Sequence, residues 1–170
     1  TKENAMTAEY LIRIDHDESV VEIRLDRPPV NALSHAVRLG LDAAFDRAET
    51  EEGIRAAVLA GAGRAFIAGA DIKEFGLPPE PPLLPEVCAR IETSPMVVVA
   101  AMHGAALGGG LEIALSAHYR VAQPSAKVGL PEIMVGIFPG AGGTTRLAHK
   151  LGAMDASPFL LEGRMVSPQK

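Results

Sequence analysis

The sequence is poor in cysteine and in aromatic residues, and these absences exclude whole classes of protein. Among its 170 residues there is one cysteine, Cys88, and no tryptophan, and aromatic residues make up 4% of the chain. A single thiol cannot form an internal disulfide and is typical of a reducing compartment. We therefore expect a protein of the bacterial cytoplasm or of an organelle matrix, and not a secreted one.

Two further absences concern membranes and nucleic acids. No apolar run reaches the roughly 18 residues that a membrane-spanning helix needs. The formal net charge is −5, whereas a surface that binds nucleic acid is usually basic. We therefore expect neither a membrane nor a nucleic acid as a partner.

Hydrophobic residues, by contrast, are abundant enough to form a sizeable core. They make up 48% of the chain and charged residues 22%, which is typical of a globular protein. The length favours a single domain, which we place at residues 10–170. The first residues are polar and lack the apolar core of a signal peptide, so residues 1–9 are interpreted as a tag remnant and a disordered N-terminus.

Alternating strand and helix patterns predict an α/β fold. Tyr10–Asp15 and Val20–Leu25 are interpreted as a β-hairpin with a turn over residues 15–19. Ser34 is a good N-cap for a helix that reaches about Thr50. Other strands are expected at 54–60, 96–102, 119–122 and 126–128, a proline-rich mobile loop at 77–85, and other helices at 86–92, 144–151 and 154–162, the last with Pro158 in its first turn.

Two common phosphate-binding motifs are not present. A long glycine- and alanine-rich loop, residues 61–75, follows a predicted strand as a dinucleotide fingerprint would. Its third glycine position is occupied by Phe66, so the spacing G-x-G-x-x-G fails. The P-loop signature G-K-[ST] is also missing from the sequence. Neither nucleotide site is therefore predicted.

The most informative stretch is Gly104–Leu115. It follows an apolar, β-branched run and contains the triplet Gly108–Gly110, after which the residues favour a helix. Glycines leave backbone amides open to a ligand, a helix N-terminus directs free N–H groups outward, and Glu112 lies in the first helical turn. This pattern indicates an oxyanion-binding site with a built-in acid or base. The alternative is that the glycines pack the helix closely on a strand and that the helix dipole alone favours Glu112.

A second unit of the same kind follows. Gly129-Leu-Pro-Glu132 comes after a predicted short strand, and four glycines lie within Gly136–Gly143, directly before a helix. An acid, Glu132, again stands near the start of the unit. Two such units could present two carboxylates to one cleft.

Three segments in register carry a family resemblance. They are Ala68–Ile72, Gly104–Glu112, and Gly129–Glu132 together with Pro139–Thr144. In order and spacing, over residues 10–170, they resemble the crotonase (enoyl-CoA hydratase/isomerase) superfamily. The amino-acid sequences of Pro28–Leu33 and of Ala117–Val121 are most similar to the hydratase part of bifunctional enoyl-CoA hydratase/3-hydroxyacyl-CoA dehydrogenases.

The resemblance implies a fold and a site. The fold is a superhelix of repeated strand-strand-helix turns, without the C-terminal helices that close the acyl pocket in family members. Glu112 and Glu132 match the two catalytic acids, and the backbone N–H groups of Ala70 and Gly109 match the oxyanion hole. For substrate binding, the resemblance assigns Gly140 to the attacking water and Ala68, Asp71 and Ile72 to coenzyme A.

The resemblance also implies an activity. We expect hydration of 2-enoyl-CoA thioesters to 3-hydroxyacyl-CoA in fatty-acid β-oxidation, with Δ3-Δ2 enoyl-CoA isomerase activity in addition. The acyl-CoA is the substrate, no cofactor or metal is required, and family members often form trimers. Two alternatives stay open: another acyl-CoA reaction on the same fold (dienoyl isomerisation, thioester hydrolysis or decarboxylation), or an inactive coenzyme A-binding or assembly fragment.

Several polar residues have an ordinary structural interpretation. His103 and His118 flank the glycine-rich helix and are expected to be packed or hydrogen-bonded rather than catalytic. Cys88 is expected to be inert. Asp71 could cap a turn as well as bind ligand.

Overall fold

The computed structural model describes residues 12–169, and residues 12–17 by their backbone alone. The predicted segment 1–9 lies outside the described residues. The strands are β1 (Ile12–Asp17), β2 (Val20–Leu25), β3 (Ala56–Gly61), β4 (Val97–Met102), β5 (Ala105–Leu107), β6 (Tyr119–Ala122), β7 (Lys127–Gly129) and β8 (Met165–Val166). The helices are α1 (His35–Thr50), α2 (Leu84–Thr93), α3 (Gly109–Ser116), α4 (Gly143–Leu151) and α5 (Ala153–Leu161), with 3₁₀ turns at Ile72–Glu74 and Pro131–Val135.

Two sheets organise these elements. The larger has the order β1-β2-β3-β4-β6, in which β1 and β2 are antiparallel and the other pairs parallel. The smaller has the order β5-β7-β8. Two isolated parallel bridges add to this pairing. One joins Leu33 to Ala70, and the other joins Ile67 to Ala106 in β5. The prediction did not include β5 or β8.

The repeat is visible in how the chain alternates between the sheets. β4 extends the larger sheet, β5 begins the smaller one, and α3 returns the chain; β6, β7 and α4 do the same. Parallel strands require such crossovers because a tight turn cannot join them. The predicted superhelix of strand-strand-helix turns is therefore confirmed.

The predicted hairpin is also confirmed, but its turn is shorter than expected. β1 runs to Asp17, which pairs with Val20, so the turn consists of Glu18 and Ser19. Glu18 adopts a left-handed conformation, with φ of 52°, and this closes the tight turn.

α1 forms as its sequence predicts. The Ser34 hydroxyl accepts a hydrogen bond from Val37 N–H at 3.4 Å, which caps the first turn. The predicted apolar face is fully or almost fully buried and packs into the core; its members are Val37, Leu41, Ala44, Phe45 and Ala48.

Helix starts differ from the prediction by one or two residues, and α4 begins at Gly143 rather than at residue 144. α2 begins at Leu84, not at Glu86, because the Glu86 carboxylate accepts a hydrogen bond from Leu83 N–H and so caps the helix from within. α5 begins at Ala153, since Ala156 N–H already bonds to Gly152 O. Pro158 therefore lies inside the helix, in its second turn, and the expectation of a first-turn proline was wrong. None of the described helices is long and apolar enough to cross a membrane.

Candidate active site

A pocket of about 910 Å³ opens beside the start of α3. Its walls come from α1, the segment 70–85, α3, the 3₁₀ turn at Pro131–Val135 and the loop before α4. Six of the eight predicted site residues line it: Ala70, Asp71, Gly109, Glu112, Glu132 and Gly140.

Ala70 lines this pocket, and its backbone is fixed by the bridge to Leu33. Leu33 N–H donates to Gly69 O at 2.8 Å, and Asp71 N–H donates to Leu33 O at 3.3 Å. In a parallel bridge the residue between two such bonds directs its own N–H to the opposite side. The Ala70 N–H consequently points away from Leu33 and is available to a ligand.

Gly109 supplies the neighbouring amide. It is the first residue of α3, so its N–H has no acceptor within the helix. A Cβ at position 109 would lie 3.8 Å from Ala70 N and 2.7 Å from Leu84 Cδ2. The backbone of Gly109 therefore lies close to the Ala70 amide, and a side chain at position 109 would press on Leu84 and Leu33.

The glycine triplet serves two purposes. Only Gly108 precedes the helix, with φ of 54°, whereas Gly109 and Gly110 lie within it, which corrects the expectation that all three precede it. A Cβ on Gly110 would overlap the Ile67 carbonyl. Gly110 thus packs the helix against the loop, as the alternative interpretation of the triplet required, while Gly109 exposes an amide.

Glu112 is 2% exposed, and one of its oxygens is held by backbone amides. Its Oε1 accepts hydrogen bonds from Ala141 N–H at 2.7 Å and from Gly143 N–H at 2.8 Å. Burial raises the pKa of the carboxyl, while these two amides and the charge of Arg146 act in the opposite direction. The net effect is a raised pKa on a carboxylate whose orientation is set.

Glu132 is 9% exposed and lies in the 3₁₀ turn after β7. Its Oε2 is buried and has no hydrogen-bond partner within the described residues. Burial, partly opposed by a backbone hydrogen bond and reinforced by repulsion from Glu112, raises the pKa of Glu132 to about 7. Such a group exchanges a proton readily near neutral pH.

The remaining predicted residues lie at the edge of the site or outside it. Asp71 Oδ1 accepts from Lys73 N–H at 3.1 Å and its Oδ2 forms an ion pair with Arg27 at 2.7 Å, so it caps the 3₁₀ turn. Its pKa is lowered, first by the Lys73 amide. Ile72 is 77% exposed, and neither it nor Ala68 lines the pocket.

One buried residue that the sequence did not single out organises the loop leading to Ala70. Asn31 has a left-handed backbone, with φ of 55°, and its Oδ1 accepts from Arg27 N–H at 2.8 Å. Its Nδ2 lies 2.8 to 3.1 Å from the carbonyl oxygens of Ala62, Ala65 and Phe66. An asparagine directly after two prolines and a valine is the only local signal.

The structural interpretations of other polar residues hold. His118 Nδ1 accepts from Val98 N–H at 3.0 Å, and His103 Nε2 lies 3.0 Å from Gly63 O. Cys88 is fully buried, and burial raises its pKa to about 12, so it remains a thiol. The part of the chain that the structure describes contains no group of three potential metal ligands.

Comparisons with known proteins agree with the fold. The crystal structure of an enoyl-CoA hydratase from Bacillus anthracis matches with a TM-score of 0.87 at 37% identity, covering 94% of this chain and 65% of that one. An enoyl-CoA hydratase subunit from Geobacillus kaustophilus matches with a TM-score of 0.85 at 38% identity, and the match covers 94% of this chain and 64% of that one. The repeated strand-strand-helix turns are therefore those of the crotonase fold.

The sequence comparisons define the family. The family model described as enoyl-CoA hydratase/isomerase matches residues 15–170. The chain is 47% identical over 153 residues to the peroxisomal bifunctional enzyme of Danio rerio, covering 89% of this chain and 21% of that protein. It is 42% identical over 158 residues to a probable enoyl-CoA hydratase of Bacillus subtilis, covering 89% and 61%.

The chain belongs to the enoyl-CoA hydratase/isomerase family. The predicted similarity to the hydratase part of bifunctional enzymes is confirmed. The chain spans about three fifths of the length of the single-function relative and about a fifth of the bifunctional one.

Proposed function

We propose that this chain carries the site that adds water to 2-enoyl-CoA thioesters, yielding 3-hydroxyacyl-CoA, in fatty-acid β-oxidation. The observation that supports this most directly is that Glu112 and Glu132 line one pocket together with the amides of Ala70 and Gly109. Family membership and the hydratase relatives point the same way.

In this proposal the two amides bind the thioester oxygen. Addition of hydroxide to the β-carbon moves an electron pair onto that oxygen, which becomes enolate-like. Backbone N–H groups already aimed at the oxygen stabilise the charge without reorganising, and one such donor is worth about 3 to 4 kcal/mol. Ala70 and Gly109 provide two.

Glu112 acts as the base on water. Its Oε1 is held by Ala141 and Gly143, so the other oxygen is the one that can take a proton. The opposing amides and the Arg146 charge favour the ionised form that a base requires. Gly140, whose missing side chain leaves room in the pocket wall, lies next to the water in this arrangement.

Glu132 delivers the proton to the α-carbon. With a pKa raised to about 7 it is substantially protonated at neutral pH. The enolate collapses, and a C–H bond forms at the α-carbon. The proton that Glu112 took from water is then released to solvent, and Glu132 is reprotonated from solvent. The net change is one water added across the double bond.

Δ3-Δ2 isomerisation is a second activity that one feature favours. The Oε2 of Glu132, which has no hydrogen-bond partner among the described residues, is buried, and a carboxyl in such a position can take a proton from one carbon of the acyl chain and return it to another. That reaction needs the oxyanion hole and one acid, and no attacking water.

The same proposal assigns the partners. The substrate is an acyl-CoA, no further cofactor is invoked, and Ala68, Asp71 and Ile72 would contact coenzyme A mainly through their backbone. Self-association of the trimer type and a cytoplasmic or organelle-matrix location are proposed with it. The competing functions are another acyl-CoA reaction on this fold, or coenzyme A binding without turnover.

The test is a direct assay of hydration. Loss of the ultraviolet absorbance of the conjugated 2-enoyl thioester is followed for the wild-type chain and for Glu112→Gln, with binding of the thioester measured by calorimetry. Turnover by the wild type that collapses in the variant, with binding retained, supports the proposal. Binding without turnover in the wild type would leave only a coenzyme A-binding module.

A further inference from the structure

Arg146 lies on α4, outside the residues assigned to the reaction, and its guanidinium makes three directed contacts. Nη1 donates to the Ala141 carbonyl at 2.7 Å. Nε and Nη2 donate to the two oxygens of Glu92, at 3.1 and 2.7 Å, in a bidentate pair between α4 and α2. The Arg146 side chain is 15% exposed and its contact with Ala141 is partly buried, whereas the Glu92 side chain is 53% exposed, so solvent reaches the ion pair from the Glu92 side.

Arg146 contacts Ala141, which is one of the two residues whose N–H groups bind Glu112. Ala141 accepts from Arg146 through its carbonyl and donates to Glu112 Oε1 through its N–H. Gly142, the next residue, has φ of 96°, and a Cβ there would collide with Arg146 Nη1. The guanidinium therefore lies directly against the turn whose amides orient the carboxylate.

The positive charge of Arg146 also acts on Glu112 through space, favouring its ionised form. The other titratable groups close to Glu112 are Glu132 on the 3₁₀ turn and Cys88 on α2. Cys88 remains neutral, and the charge of Glu112 helps to raise the pKa of Glu132. Arg146 is thus the cation that counteracts burial of the base.

We infer that Arg146, fixed by Glu92, is a positioning residue for the reaction: it clamps the Ala141–Gly143 turn so that Glu112 presents one oxygen to water in its ionised form. This rests on the proposed hydratase function. Its own test therefore includes a measurement that does not need turnover.

The variants are Arg146→Gln, Arg146→Lys and Arg90→Gln as a matched control. Arg90 also joins two helices through ion pairs, to Asp46 at 2.7 Å and to Glu49 at 2.9 Å, but both partners lie on α1 and not on the turn that holds Glu112. Any effect of simply losing an arginine that joins two helices should appear in both Arg146→Gln and Arg90→Gln. An effect on Glu112 should appear only at position 146.

The first measurement is hydration kinetics. Displacing a catalytic group by about 1 Å can cost about 100-fold in rate, so R146Q should lower kcat by about 100-fold with little change in KM. R146K keeps the charge but cannot form the bidentate pair with Glu92, and its kcat should fall less. R90Q should keep the wild-type kcat even where its thermal unfolding midpoint drops.

The second measurement is a carboxyl ¹³C NMR titration of glutamate-labelled protein, with the Glu112 signal assigned from Glu112→Gln. Removing a nearby cation makes a carboxyl hold its proton more tightly, so Glu112 should titrate at higher pH in R146Q than in the wild type or R90Q. Should R146Q fail to fold, R146K is used instead, with a lowered kcat and a nearly unchanged Glu112 titration as the expectation.

The inference is overturned if folded R146Q keeps the wild-type kcat, or if Glu112 titrates at the same pH in R146Q as in the wild type. For R146K, a wild-type kcat overturns it. If the wild type itself shows no hydration, the proposed function fails, and the NMR titration still decides whether Arg146 controls Glu112.

Discussion

Glu112 and Glu132 line one pocket with unequal hydrogen bonding. Glu112 Oε1 accepts from two backbone N–H groups, whereas the buried Oε2 of Glu132 has no partner within residues 12–169. Hydrogen bonds to the charged form favour ionisation, and their absence in a buried site favours the neutral acid. This asymmetry is the physical basis for assigning the base and the acid.

Replacing either glutamate by glutamine should abolish most of the hydration. Glu112→Gln removes the base and Glu132→Gln the proton donor, so each should lower kcat by about 100- to 10,000-fold, and the double variant should be little worse than either. Isomerisation should survive Glu112→Gln better than Glu132→Gln. Both rates are measured on all four proteins; equal losses of thioester binding and turnover would make the two residues structural.

Glu132 should also make the protein less stable as pH rises. Its folded pKa of about 7 lies above the ordinary 4.5, so the folded state binds the proton more tightly. The resulting stability is fully present below pH 4.5 and is lost as pH rises through about 7, by up to about 3 kcal/mol. Urea unfolding at several pH values should therefore find Glu132→Gln more stable than wild type at pH 8.

The control for that experiment is Glu162→Gln, because the Glu162 side chain is 60% exposed and far less desolvated. It should follow the wild-type dependence on pH. A Glu132→Gln profile that also parallels the wild type between pH 4.5 and 8 would show that the Glu132 carboxyl is not perturbed.

The Ala70 amide can be removed without adding a polar group. Ala70→Pro deletes the N–H that the Leu33 bridge leaves unused, and it should lower kcat by about 100-fold or more. Ala70→Gly keeps the N–H and should stay close to wild type. Thermal unfolding identifies folded protein, and unchanged turnover in folded Ala70→Pro would remove Ala70 from the oxyanion hole.

Asn31 should be among the most sensitive positions of the loop. Asn31→Ala leaves buried carbonyls without a donor and places alanine at φ of 55°, so the free energy of unfolding should fall by about 2 to 4 kcal/mol. Turnover per folded molecule should fall as well, since the loop carries Ala70. Gln123→Ala, at an exposed position, should change stability by less than about 0.5 kcal/mol; equal effects of the two variants would contradict the assigned role.

The amino-acid sequence was sufficient for α1, the hairpin, the order of the helices and of the strands other than β5 and β8, and the family. These features depend on neighbours in the chain: the 3.6-residue spacing of Val37, Leu41 and Phe45, the Ser34 cap, and glycine motifs in register. Each is encoded within a few residues, so it can be read before any long-range contact is known.

Tertiary structure decided the chemistry of the two acids. Glu112 meets Ala141 and Gly143 only because α3 and the start of α4 pack together, and the turn that holds it depends on Arg146 reaching Glu92 on α2. The smaller sheet, with its short β5 and β8, likewise forms only through pairing of distant segments. Contacts between residues far apart in the chain leave no local periodicity, and burial, which raises the pKa of Glu132, is a property of the packed molecule rather than of any segment.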